Sequence, residues 1–123
     1  DMADSAVEVL KRVVSLPRTF RDVQTMSMPQ LLRASGYPGV EAQLTVEAIA
    51  NALRQQPESV EDWLRLSEDN RGTPWWYFIK SGAGYEVAFL DKKAKATKRE
   101  TYTDPSLACA NFIQKHLELW MIP

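Results

Sequence analysis

The 123-residue chain sets 15 lysine and arginine residues against 16 aspartate and glutamate residues, and that near balance excludes the global field that gathers nucleic acid or membrane surfaces. With 45% hydrophobic and 25% charged residues it has the composition of a folded domain, not of a disordered chain. The length predicts one domain over residues 1–123, burying about two-thirds of the surface its unfolded chain exposes without a disulfide or metal staple.

From the N-terminus, "MADSAVEVLKRVVSL" spaces Ala6, Val7, Leu10, Val13 and Val14 as a helical stripe, with Asp4 placed to cap it and Pro17 to end it. Asp1 reads as an added or trimmed residue ahead of Met2, a plausible initiator. "SMPQLLRASG" predicts a short second helix, because Ser27 and Gln30 have capping-box spacing, Pro29 sits in the first turn and Gly36 suits the left-handed exit. "YPGVEAQL" reads as loop. A third helix follows Thr45 and points Val46, Ile49, Ala50 and Leu53 inward until Pro57. A fourth starts at Ser59, with Asp62 at the reciprocal capping position, and carries Val60, Trp63 and Leu64 inward. The helical half thus covers about residues 4–69.

After Pro74 the apolar period changes from 3.6 to 2. "WWYFIK", "SGAG" and "YEVAFLD" predict a hairpin whose turn uses Gly82 and Gly84, and "ATKRETYT" predicts a charged third strand at a sheet edge. The middle strand is apolar on both faces, Tyr85, Val87 and Phe89 on one and Ala88 and Leu90 on the other, so a sheet covered on both sides is expected. One of the adjacent indoles Trp75 and Trp76, which point opposite ways, is expected at the surface. Asp104 as N-cap and Pro105 as first residue open a closing helix through Leu107, Ala110, Phe112, Ile113 and Leu117. Its small residues Ala108, Cys109 and Ala110 would let it lie close on one sheet face, leaving the other to the N-terminal helices. The predicted class is α+β: a helical N-terminal half, a small antiparallel hairpin or meander, and a C-terminal helix packed on the sheet, the last two over about residues 75–120.

Chemistry-bearing residues are few. His116 and Cys109 lie seven positions apart on one helix, too far to share an ion, so no metal site and no cofactor are expected. His116 is expected partly exposed near the helix C-terminus, where the dipole favours its charged form. No nucleophile elbow or phosphate-cradling glycine loop appears, and catalysis is not expected. A lone cysteine in "LACANF" reads as a small buried position and favours a reducing compartment. No apolar run reaches the roughly 20 residues of a membrane span, and no signal-like series is present, so a soluble protein is expected.

Two charge patches remain. The acidic one is "ESVEDWLRLSEDN", with Glu58, Glu61, Asp62, Glu68 and Asp69 around Trp63. The basic one is "DKKAKATKR", with Lys92, Lys93, Lys95, Lys98 and Arg99 on a turn. For both, the plain alternative is a solvated surface. Nucleic acid prefers basic residues interleaved with exposed aromatics, and here the aromatics lie a strand away and are expected to be buried.

The second half resembles the immunity proteins of bacterial contact-dependent growth inhibition and related polymorphic toxin systems. The resemblance rests on the "WYF" strand, the "YEV" strand and the "DPSLACANFI" helix, preceded by "WLRLSED" from Trp63 to Asp69, and it covers about half the chain. It implies a non-catalytic protein that binds the C-terminal domain of one cognate toxin in the cytoplasm, often a nuclease, and blocks its active site or substrate access. Such binding surfaces diverge with their toxins, so no binding residue is carried over. The residues instead nominate the acidic helix, where Glu58, Glu61, Asp62, Glu68 and Asp69 would steer a basic partner and Trp63 or Trp76 would anchor it. A small nucleic-acid-binding module using the turn from Lys92 to Arg99 is the rival reading.

Overall fold

The computed structural model describes residues 2–69 and 74–120. Five α-helices, Met2–Val14 (α1), Leu16–Val23 (α2), Met28–Ala34 (α3), Val46–Gln55 (α4) and Glu58–Asp69 (α5), precede three strands, Trp75–Ser81 (β1), Gly84–Leu90 (β2) and Ala96–Tyr102 (β3), and a closing helix, Pro105–Trp120 (α6). The strands form an antiparallel meander in the order β1-β2-β3. The α+β class and the closing helix on the sheet are as the sequence predicts.

Several local signals act as expected. Ser27 Oγ accepts from the Gln30 amide while the Gln30 side chain accepts from the Ser27 amide, and Gly36 takes φ 94° at the helix exit. Thr45 caps α4 through the Ala48 amide, and Asp104 caps α6 through the Ser106 and Leu107 amides. Three starts differ from expectation. Helix α1 already begins at Met2, so Asp4 lies within its first turn. Helix α5 begins at Glu58, which puts Ser59 inside the helix, where it is buried, and Asp62 is drawn to Arg18 rather than back to a cap. Pro17, read as a stop, occupies the first turn of a further helix, α2. Proline is tolerated there because its missing N–H has no intrahelical partner to lose. The "YPGVEAQL" segment forms two 3₁₀ turns, Tyr37–Gly39 and Glu41–Gln43, and Tyr37, Val40 and Leu44 from it join the core.

The layering also differs from the doubly covered sheet. Helix α6 lies on one sheet face and is itself overlaid by α4, with α3 and α5 beside it. At 100° per residue, α6 turns Ala108 and Phe112 toward the sheet and Ala110, Ile113 and Leu117 away from it, and all five are sealed from solvent. The closing helix is thus the central layer between sheet and helices. Phe112 meets Phe78 at 5.5 Å and Trp63 at 6.0 Å between ring centroids, joining β1, α5 and α6 in one cluster.

The opposite sheet face carries Tyr77, Glu86, Ala88 and Arg99 from all three strands. The Tyr77 hydroxyl donates to Glu86 Oε2 at 2.6 Å, and Arg99 Nε reaches Glu86 Oε1 at 3.1 Å. This charge-assisted chain satisfies the shielded carboxylate of Glu86, which explains an acid in the middle of the central strand. Instead of covering that face, α5 closes the outer edge of β1: the Phe78 amide donates to Ser67 Oγ at 2.8 Å, and Lys80 pairs with Glu61 at 3.5 Å. A covered edge cannot recruit a foreign strand.

In the β1–β2 turn only Gly82 takes positive φ, 60°. Gly84 is needed for another reason, because a Cβ there would drive into the Tyr102 carbonyl of β3. Gly84→Ala is expected to destabilise the protein by about 1–3 kcal/mol through overpacking against backbone. A lowered urea midpoint checks it; an unchanged one would mean that the β2–β3 ladder opens at that end.

Candidate partner-binding surface

The nominated acidic residues lie on α5, where Glu58, Asp62, Arg65 and Asp69 recur at helical spacing on one face. Beside that face lies α2. Its apolar stripe, Leu16, Pro17, Phe20 and Val23, follows the same period, and Val23 remains exposed at its end. Between the two helices runs an open groove of about 410 Å³, floored by Pro17, Phe20 and Leu66 and bordered by Arg21, Asp62, Arg65 and Asp69.

The structure separates the nominated residues. Glu58, Glu68 and Asp69 are exposed. Glu61 is exposed but engaged with Lys80. Asp62 retains only 10% of its side-chain exposure and pairs with Arg18 Nη2 at 3.2 Å, which fixes α2 against α5. Trp63 is not an anchor for any partner: it is fully buried, and its indole N–H donates to the Val14 carbonyl at 3.0 Å, tying α5 to the end of α1. Trp76 is half-buried, and its ring contacts run to Phe89 on β2 and Lys115 on α6. Trp75 is likewise half-buried, so neither adjacent indole lies fully at the surface.

Sequence reasoning missed α2, and with it the bases that face the carboxylates. Arg18 and Arg21 come from α2, Arg65 from α5 itself and Lys80 from β1, so the acidic helix is largely neutralised along its middle. Leu16, Pro17, Phe20 and Val23, at intervals of one, three and three, were the available signal. Among the described residues Glu68 and Asp69 at the C-terminal end form no ion pair, although Arg65 lies one turn before them and borders the same groove as Asp69. That placement opposes the helix dipole, which there favours cations by typically 0.3–1 kcal/mol, and the last turn of α5 holds no base. Helix stability does not account for these two carboxylates.

The remaining reactive groups belong to the core. Cys109 is a free thiol at zero exposure, and burial pushes its pKa up. His116 is also buried, contrary to the expected partly exposed position where the dipole would favour its charged form. Trp75 Nε1, a donor only, gives its hydrogen to His116 Nε2 at 2.9 Å, so Nδ1 carries the ring proton and donates to the Phe112 carbonyl at 3.1 Å. Desolvation lowers the His116 pKa to about 4 against a small opposing effect of that carbonyl, leaving a neutral imidazole. Among the described residues no cluster of His, Cys, Asp or Glu could hold a metal ion, and no helix is long and apolar enough to cross a membrane.

No family model matches the chain, and comparison with curated proteins and with solved structures gives no match either.

Proposed function

We propose that this chain is a non-catalytic immunity protein that binds and neutralises the C-terminal domain of a bacterial toxin, a nuclease being the expected activity, in the cytoplasm where such a toxin acts. The observation that carries the reading is the α2–α5 groove with Asp69 on its rim and the exposed Glu68 next to it in the last turn of α5. An apolar trough rimmed by charges suits the side chain of a protein partner, and two carboxylates placed against the helix dipole have a use if they meet a basic surface. The resemblance of the strands and closing helix to immunity proteins supports the same reading. So does the burial of Cys109 and His116, which places the most reactive side chains out of reach of substrate.

Co-expression tests it. A toxin gene is expected immediately upstream of this chain's gene; cells producing its C-terminal domain are expected to grow when the chain is supplied, and the two proteins to elute together in gel filtration. Equal killing with and without the chain would refute the proposal.

A further inference from the structure

The expected burial of the aromatics counts against a nucleic-acid surface at the basic end of the sheet, but the structure leaves two of them partly open to solvent. Trp76 on β1 and Phe89 on β2 are cross-strand partners, 5.3 Å between ring centroids, and both are only half-buried. Lys115 Nζ lies 4.7 Å from the Trp76 centroid, and Lys98 Nζ lies 5.7 Å from the Phe89 centroid. A β-bulge directs Lys98 there: Val87 pairs with Glu100 and Phe89 with Thr97, so Lys98 and Arg99 together oppose Ala88, and Lys98 takes φ 51°. Arg99 goes to Glu86 on the other face while Lys98 stays beside the rings.

The β2–β3 turn begins two residues beyond Phe89. Asp91 Oδ1 accepts from the Lys93 and Lys95 amides and shapes that turn, and Lys92, Lys93 and Lys95 are exposed on it. Around the ring pair, five ammonium groups (Lys92, Lys93, Lys95, Lys98, Lys115) meet two carboxylates (Asp91 and Glu100, the latter pairing with Lys115 at 3.2 Å). The local excess is three positive charges in a chain whose net charge is -1.

We infer that this end of the sheet binds single-stranded nucleic acid, the lysines taking phosphates and the part of Trp76 and Phe89 left open to solvent giving an unstacked base an apolar contact. A single strand is favoured over a duplex because only an unpaired base can reach a ring on a sheet surface. Exposed lysines, with the one arginine of β3 occupied by Glu86, imply binding by backbone charge and apolar contact with a base rather than by sequence. This site is separate from the α2–α5 groove and does not depend on the toxin-binding reading.

The test is polarisation of a labelled oligothymidylate of about 16 nucleotides, long enough for one small domain, titrated with the full chain at rising salt. Binding that weakens with salt along a log–log slope of about −2, as roughly three released counterions require, is expected, with quenching of tryptophan fluorescence. Lys95→Glu/Lys98→Glu should lose at least about tenfold in affinity and flatten that slope, with its unfolding midpoint near the parent's, since exposed charges contribute little to stability. Trp76→Phe should weaken binding less and leave the slope unchanged. No binding at low salt, or equal binding by the double variant, would overturn the inference. Equal, lysine-dependent binding of polyglutamate without quenching would also overturn it, by assigning this end to an acidic protein.

Discussion

Phe112→Ala is expected to cost about 3–5 kcal/mol of folding stability, the range for removing a large buried aromatic. The effect belongs at the upper end of core substitutions because Phe112 stands where three elements meet. It packs on Phe78 of β1, on Trp63 of α5 and on the His116 ring one helical turn away, at 5.5, 6.0 and 4.3 Å. None of these neighbours can move inward without leaving another gap, since Phe78 and Trp63 are themselves at zero exposure. With a urea slope of about 2 kcal/mol per molar, the midpoint should fall by about 2 M. A near-parental midpoint would mean that α6 is not the central layer.

Acidification should destabilise the protein through His116. Its folded-state pKa, about 4, lies below the ordinary value of 6.5. Between those limits the unfolded chain binds the proton and the folded chain does not, so stability rises with pH across this window. The contribution is fully present above pH 6.5 and is lost as pH falls toward 4. A shift of this size corresponds to about 3 kcal/mol. The cause is structural: protonating Nε2 would set an N–H against the Trp75 N–H and place a charge among Trp63, Trp75 and Phe112. Urea unfolding at pH 7 and pH 4.5 measures it, and His116→Gln should flatten the dependence. If parent and variant lose stability equally over this window, other groups carry the effect.

How far the fold was readable follows from which signals are local. The caps at Ser27, Thr45 and Asp104, the Gly36 exit and the three strands were legible because each depends on side chains within a few residues of the backbone they serve. Pro17 and Pro29 show where that ends. Pro29 follows a capping serine and reads as a start, whereas Pro17 follows an apolar helix and reads as a stop, although both open helices. Layer order was not legible. An apolar strand and an apolar helix are both compatible with two covered sheet faces, and only tertiary packing decides that α6 is covered on both sides while α5 takes the edge of β1.

The candidate site was legible as residue types and illegible as a surface. Glu68 and Asp69 stand exposed as charge density on the helix suggested, but Trp63 was nominated for proximity in sequence to the carboxylates. Its own position in the inward stripe with Val60 already argued for burial, and the fold places it there. The opposing bases Arg18 and Arg21 come from a helix that sequence reasoning merged into its predecessor, so the neutralised middle of α5 could not be foreseen.

The most direct measurement of the proposed role is the association rate of the toxin domain with Glu68→Lys/Asp69→Lys, followed by stopped-flow at low and high salt. Lysines in the last turn of α5 suit the helix dipole, so the variant should be as stable as the parent or more stable by up to about 1 kcal/mol. Its association should nevertheless be slower by about tenfold at low salt, with the gap closing near 0.5 M, where the Debye length of roughly 4 Å screens steering. Lys92→Glu/Lys93→Glu should associate at the parental rate. Parental association by the α5 variant together with lost protection by the lysine variant would contradict the account and move the toxin interface to the other end of the molecule.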